Sequence, residues 1–322
     1  MMSLHAKPLR LFSCKHVCFD YPMCSFSALI RAMRPNQWTK NLILFAGLIF
    51  AQRLFDVASI ERSVLAFCLF CLLSSAIYII NDIKDVKQDR QHPLKRKRPI
   101  ASGELSIPAA TAAAAVISMG ALGGAFALDK SFSVVAFIYF ILLFAYSFWL
   151  KHLVILDVLT IAIGFVLRAI AGAEVLNVSF SSWLLLCTIL LALFLALSKR
   201  RHEIVLLGNG AQSHRKILEE YSSYLLDQMI GVVTASTLMS YALYTMAPET
   251  VAKLHTSNMI FTTPFVIYGI FRYLYLVHQK EEGGNPSSVL LSDKPILINV
   301  LLWGVVSVLF IYGKSWLTFF SK

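Results

Sequence analysis

Three aspartates, Asp82, Asp85 and Asp89, fall at i, i+3 and i+7 within NDIKDVKQDRQHPLKRKRPIASG, the stretch from Asn81 to Gly103. On a continuous helix turning about 100° per residue, Asp89 returns to within about 20° of Asp82 and Asp85 stands about 60° away, so all three share a face. Asn81, one turn before Asp85, joins them. Carboxylates crowded in this way repel one another until a cation neutralises them. A hard divalent ion such as Mg²⁺ suits these donors, and it usually takes one or two protein carboxylates together with substrate phosphates. The pattern therefore predicts a phosphorylated ligand. Solvated ion pairing is the bland alternative, and it gives no reason for the shared face.

The counter-charge follows directly. His92 and Pro93 stop the helix, and Lys95, Arg96, Lys97 and Arg98 precede the turn at Pro99. Arg grips phosphate oxygens as a bidentate fork and Lys as a point charge, so acid would hold metal while base holds phosphate. Such a cluster at a membrane edge also binds lipid headgroups, which is the competing reading for the four basic residues as a group.

The elements that must position these groups are membrane spans. Of the 322 residues 57% are hydrophobic and 15% charged, and continuous apolar runs recur at lengths that cross a bilayer of about 30 Å. Nine spans are expected, near 37–55, 63–80, 107–128, 132–150, 153–176, 183–197, 225–246, 259–277 and 296–319. The fold class is an all-α, polytopic membrane bundle of about nine helices around a cytoplasm-facing polar cavity. Small residues such as those of AATAAAAV, Ala109 to Val116, would let helices approach closely. The loops after spans two, four, six and eight hold most of the Lys and Arg, so they face the cytoplasm, with the N-terminus inside and the C-terminus outside. The net charge of +11 then lies largely on one face, suited to lipid headgroups or phosphorylated substrates. No soluble domain remains to hold nucleic acid.

Residues 1–25 read as a poorly ordered extension, and 26–322 as the transmembrane catalytic domain. Cys14, His16, Cys18 and Cys24 do not have a standard zinc spacing, and Cys68, Cys71 and Cys187 lie inside spans, where disulfides are not expected.

Further polar groups stand where lipid would not welcome them. Gln37 and Asn41 are one α-helical turn apart with Lys40 beside them, a ligand-facing set at the start of the first span; a snorkelling Lys40 is the alternative. Asp157 and Arg168, in the fifth span, come back to nearly one face but lie about 16 Å apart along the axis, so they share a polar cavity without pairing directly. Lys151 marks either a helix end or a phosphate site. Tyr221 and Tyr224 suit the membrane interface better than a substrate. EEGGNPSS, Glu281 to Ser288, reads as a flexible loop.

The run Asn81-Asp82-Ile83-Lys84-Asp85-Val86-Lys87-Gln88-Asp89-Arg90 resembles the first aspartate-rich motif of the UbiA-like intramembrane prenyltransferase superfamily. Its continuation through His92-Pro93, Lys95 and Arg98 to Gly103 resembles the decaprenyl-phosphate phosphoribosyltransferase branch. MRPNQWTKN (Met33 to Asn41), LKHLVILD (Leu150 to Asp157), GFVLRAIAG (Gly164 to Gly172) and SKRRHE (Ser198 to Glu203) agree with that branch in order. The resemblance implies a Mg²⁺-bound diphosphate in a bundle of typically nine spans, with phosphoribosyl diphosphate (PRPP) as donor and a polyprenyl phosphate as acceptor. It implies Asp82, Asp85 and Asp89 as metal ligands, and Asn81, Arg90, His92, Lys95 and Arg98 among the substrate contacts. Where aromatic-substrate relatives carry a second acidic motif after span six, Lys199, Arg200 and Glu203 here lie in a basic loop. That loop suits a bare phosphate, either of the lipid or of ribose. An aromatic prenyltransferase and a transporter of a phosphorylated solute or lipid are the rival functions. Oligomeric state is not legible.

Overall fold

The computed structural model describes residues 26–179, 181–207, 217, 220–280, 289 and 292–320, and among these there is no strand. α1 (Phe26–Met33) leads into a 3₁₀ stretch (Pro35–Phe45) continued by α2 (Ala46–Phe50). α3 (Val57–Lys84), α4 (Val86–Gln91), a 3₁₀ turn (Lys95–Lys97) and α5 (Pro99–Ser102) contain the acidic motif and its basic continuation. α6 (Ile107–Leu128), α7 (Lys130–Phe148), a 3₁₀ turn (Leu150–His152), α8 (Leu156–Glu174), α9 (Ser182–Leu207) and α10 (Ser223–Met246) follow. α11 (Pro248–Leu254), a 3₁₀ turn (Asn258–Thr262), α12 (Thr263–Gln279) and α13 (Lys294–Phe320) complete the order.

Side-chain caps set several of the starts. Asp56, Ser106, Asp129 and Ser222 each accept a hydrogen bond from the backbone N–H three residues on, at α3, α6, α7 and α10, satisfying a donor the helix leaves open. Among the described residues eight helices are long and apolar enough to cross a membrane, and they coincide with the second to ninth expected spans.

The first expected span differs. Its eleven 3₁₀ residues and five α residues reach about 30 Å at rises of about 2.0 and 1.5 Å per residue, as far as the apolar core of a bilayer. Backbone contact with α8 fixes its seat. A Cβ on Gly172 would stand 2.0 Å from the carbonyl oxygen of Leu44, and one on Gly47 would stand 2.6 Å from that of Gly172. Only glycines permit this approach.

Two apolar cores meet at α8. One joins the first crossing, α3, α6 and α7 through Leu44, Phe70, Leu73, Ala121, Phe132 and Tyr139 to Ala171 of α8 and Val175 just beyond it. The other joins α9, α10, α12 and α13 through Phe194, Leu226, Ile270 and Ile296 to Val158 of α8. The small residues of α6 behave as expected: Ala110, Ala114, Ser118, Ala121 and Ala125 are buried, and α6 packs extensively on α3. Val116, Met119 and Phe126 on its other side are exposed, as a lipid-facing surface requires.

Candidate active site

Ion pairs tie together one end of the bundle. Asp85, after α3, meets Lys151, after α7; Asp157 at the start of α8 meets Arg200 near the end of α9; and Asp227 at the start of α10 meets Arg201. These pairs hold the acidic motif and the SKRRHE segment at a common pole.

The motif is not one continuous helix. α3 ends at Lys84, Asp85 adopts φ −92° and ψ 6°, and α4 restarts at Val86. The break divides the carboxylates expected on one face. Asp82 and Asp89, both buried, converge on Nη1 of Arg98, at 3.0 and 2.6 Å. Arg34 also donates to Asp82. Asp85 turns instead to Nζ of Lys151 at 2.6 Å and accepts a hydrogen bond from Asn81 at 3.1 Å. No group of three or more His, Cys, Asp or Glu among the described residues is arranged for a metal, so the gathered three-carboxylate face is corrected to a pair and a neighbour. Burial pushes the Asp89 carboxyl up from its ordinary value, against the pull of Arg98.

The donor set nevertheless fits a divalent ion. Two carboxylates already aim at a single cationic nitrogen, and Mg²⁺ needs no more than one or two protein carboxylates beside substrate phosphates. Among the other residues of the motif, Arg90 is exposed and donates to the Ala101 carbonyl at 3.2 Å. Nδ1 of His92 accepts from the backbone N–H groups of Leu94 and Lys95, so His92 shapes the turn that presents Lys95 and Arg98.

Arg34 reaches Asp82 from a left-handed backbone, φ 56° and ψ 63°, immediately before Pro35. A non-glycine residue rarely adopts that region, and here it turns the guanidinium back onto the acidic motif. The 3₁₀ winding corrects another expectation. At three residues per turn Gln37 aligns with Lys40, while Asn41 is rotated by about 120° from both. Gln37 is half-exposed, whereas Asn41 is fully buried, donating to Ser74 and Cys71 at 3.3 Å and accepting from Arg168 Nε at 2.7 Å. Lys151, 5% exposed, is a buried partner of the motif and no mere helix end.

SKRRHE is also not a loop, because α9 continues through it to Leu207. Arg200 is buried between Asp157 at 2.7 Å and Glu203 at 2.5 Å, and Lys199 lies 3.9 Å from Glu203. Asp157 and Arg168 do not pair, as expected. Asp157 accepts from Arg200 and, at 2.9 Å, from the hydroxyl of Tyr221. Tyr221 is buried and no interface residue, whereas Tyr224 is exposed. The Tyr221 hydroxyl also accepts from the backbone N–H of Ile155 at 2.7 Å, which holds Ile155 at φ 67°, an outlier for a β-branched residue that costs about 1–3 kcal/mol. That contact sets the loop from which Asp157 projects.

Sequence reasoning passed over Arg34, Tyr139 and Tyr146, and set Tyr221 at the membrane interface. Tyr139 and Tyr146 receive hydrogen bonds from Arg168 and Arg200. Arg34 was detectable as a cation beside a span; the tyrosines gave no signal, because their partners lie on other helices. A cavity of about 240 Å³ lies away from the motif, between the end of α8 and α11, with Gly47, Ala173, Ser182, Tyr244 and Lys253 in its lining. The N-terminal cysteines and Glu281 to Ser288 fall outside the described residues.

Bilayer-length helices with acid and base assembled at one end define an integral membrane protein with a charged site at one pole. The model of the UbiA prenyltransferase family matches residues 41–293, and the chain belongs to that family. It is 34% identical over 293 residues to decaprenyl-phosphate phosphoribosyltransferase of Corynebacterium glutamicum, covering 88% of this chain and 86% of the relative. The protein of the same name from Mycolicibacterium smegmatis is 33% identical over 288 residues, 86% of this chain and 90% of the relative. A UbiA homologue from Archaeoglobus fulgidus, solved bound to GPP and Mg²⁺, shares the fold with TM-score 0.67 and 20% identity over 89% of this chain and 98% of that one. The resemblance seen in the motifs is borne out.

Proposed function

We propose that this protein transfers 5-phosphoribosyl from phosphoribosyl diphosphate to a polyprenyl phosphate of the decaprenyl class, releasing diphosphate. The observation that carries the reading is the chemistry of the pole. One helix end presents carboxylates with basic partners, and the neighbouring end of α9 is basic.

In this mechanism an oxygen of the lipid phosphate attacks C1 of the ribose, and the bond from C1 to the diphosphate oxygen breaks with its electron pair leaving on diphosphate. The attacking phosphate is already ionised at neutral pH, so the chain needs no general base. Asp82 and Asp89, with Asp85 beside them, would hold Mg²⁺, whose charge would offset that developing on the departing diphosphate. Arg34, Lys95 and Arg98 supply cations for the remaining diphosphate oxygens, and Arg98 and Arg34 already stand against the carboxylates. Lys151 and Asn81 fix the direction of Asp85. Carboxylate charge nearby also favours the oxocarbenium character at C1. The excess of Lys and Arg in the loops of this pole supports a site on the cytoplasmic side of a bacterial inner membrane, where a soluble donor arrives from water and the acceptor from the bilayer.

The test is incubation of purified protein with labelled phosphoribosyl diphosphate, a polyprenyl phosphate and Mg²⁺, followed by extraction into organic solvent. Label moves into the organic phase if the proposal holds. Label confined to water, or product formed instead from a prenyl diphosphate and an aromatic acid, replaces it.

A further inference from the structure

Of the cations drawn in between the helices at this pole, two have no acid against them. Asp82 and Asp89 meet Arg34 and Arg98, Asp85 meets Lys151, Asp157 meets Arg200, and Glu203 is shared by Arg200 and Lys199. Lys40 and Arg168 remain. Arg168 is 5% exposed, and its guanidinium is bound only by neutral groups: Oδ1 of Asn41 at 2.7 Å, the Gly164 carbonyl at 2.9 Å and the Tyr139 hydroxyl at 2.6 Å. Lys40 is half-buried and has neither a hydrogen bond nor an ion pair among the described residues. The charges acting on it are the cations Arg168, Arg34 and Lys199, together with the phenol of Tyr146.

A cation withdrawn from water without an acid is costly, and two that repel each other are costlier still. We infer that Lys40 and Arg168 form the binding site of a phosphate monoester, whose charge of about −1.5 to −2 at neutral pH matches the two uncompensated cations. Lys40 supplies the reachable point charge. Arg168, aimed by Asn41, supplies a fixed field behind it.

Two sources offer such a group, the acceptor lipid and the 5-phosphate of the donor. Naming these sources rests on the phosphoribosyl-transfer reading, whereas the phosphate monoester rests on the two withdrawn cations, Lys40 and Arg168, that no acid answers. Depth favours the acceptor. Asn41 is held by Ser74, eight residues before Asp82 on α3, so the site lies about 12 Å along that helix from the acidic motif, toward the interior of the bundle. A lipid-linked phosphate is presented from that direction.

Farnesyl phosphate, a short polyprenyl phosphate, is the probe, with farnesol as its uncharged control. Binding is measured on the purified full chain in detergent, without donor or Mg²⁺. Lys40→Gln weakens farnesyl phosphate binding by about tenfold or more, the loss of one charge-assisted contact; Lys40→Arg restores most of it, and farnesol binding does not change. Ribose 5-phosphate forms the second arm. Lys40-dependent binding of ribose 5-phosphate alone keeps the phosphate site and moves its source to the donor. Binding of neither compound, or of both without dependence on Lys40, overturns the inference. Lys40 makes no described hydrogen bond that its replacement would break, so the variant should fold. Neither arm involves turnover, so a failure here is distinguishable from a failure of the transfer assay.

Discussion

α3 and α9 both end at the same pole, and their ends are mirror images in charge. The end of α3 with α4 presents Asp82, Asp85 and Asp89, each answered by cations from distant segments: Arg34 before the first crossing, Arg98 beyond the turn at Pro93, and Lys151 after α7. The end of α9 presents Lys199 and Arg200, answered by Glu203 on the same helix and by a buried Asp157 on the adjoining one. Arg34 and Arg98 keep about a quarter of their side-chain surface in solvent, whereas Arg200 keeps 3%. The difference separates two jobs. Cations on exposed segments can exchange one anionic partner for another, while a pair sealed between helices braces the structure.

The largest effect that would break this comparison lies on the acidic side. Asp82→Asn and Asp85→Asn are each expected to lower phosphoribosyl transfer by at least about 10²–10³-fold, the scale of removing one electrostatic contact made to the reacting group, and circular dichroism should remain that of the parent. Chelation of divalent ions should abolish transfer equally and leave the melting temperature within about 2 °C, because neighbouring cations already neutralise the motif; a collapse of the fold would make the acidic end structural.

On the other side the balance reverses. Asp157→Asn leaves Arg200, sealed from water, with Glu203 as its one remaining acid, and the thermal or denaturant midpoint should report a loss of about 1.5–3 kcal/mol. Replacing both partners at once by apolar residues of similar volume should recover most of it. The smallest effect belongs to Tyr221→Phe, which removes one hydrogen bond to Asp157 and should cost about 1 kcal/mol. A loss of activity without a loss of stability in Tyr221→Phe would move Tyr221 from the brace to the chemistry.

Eight of the spans were legible because an apolar run of bilayer length leaves the backbone little choice but a helix. The polar residues to suspect were legible for the same reason, since ionisable groups inside a span stand out. Pairing was not. The helical wheel treated Asp82 to Asp89 as continuous, and one turn residue, Asp85, redirected its own carboxylate. Basic composition suggested a loop at SKRRHE, yet Arg200 tolerates burial in a helix because Asp157, forty-three positions earlier, lies against it. Tyr221 read as an interface residue for lack of any local sign of the carboxylate it serves.

The first crossing has a mechanical consequence. Eleven residues wound at three per turn are a stretched spring, held at its far end by the glycine contact with α8 and entered through Pro35. Relaxation to ordinary α winding would retract the segment by about 5 Å, drawing the amine of Lys40 along the bundle while Arg168 stays with α8. A stroke of that size, about the length of one helical turn, would cover less than half of the roughly 12 Å that separates this site from the acidic motif along α3.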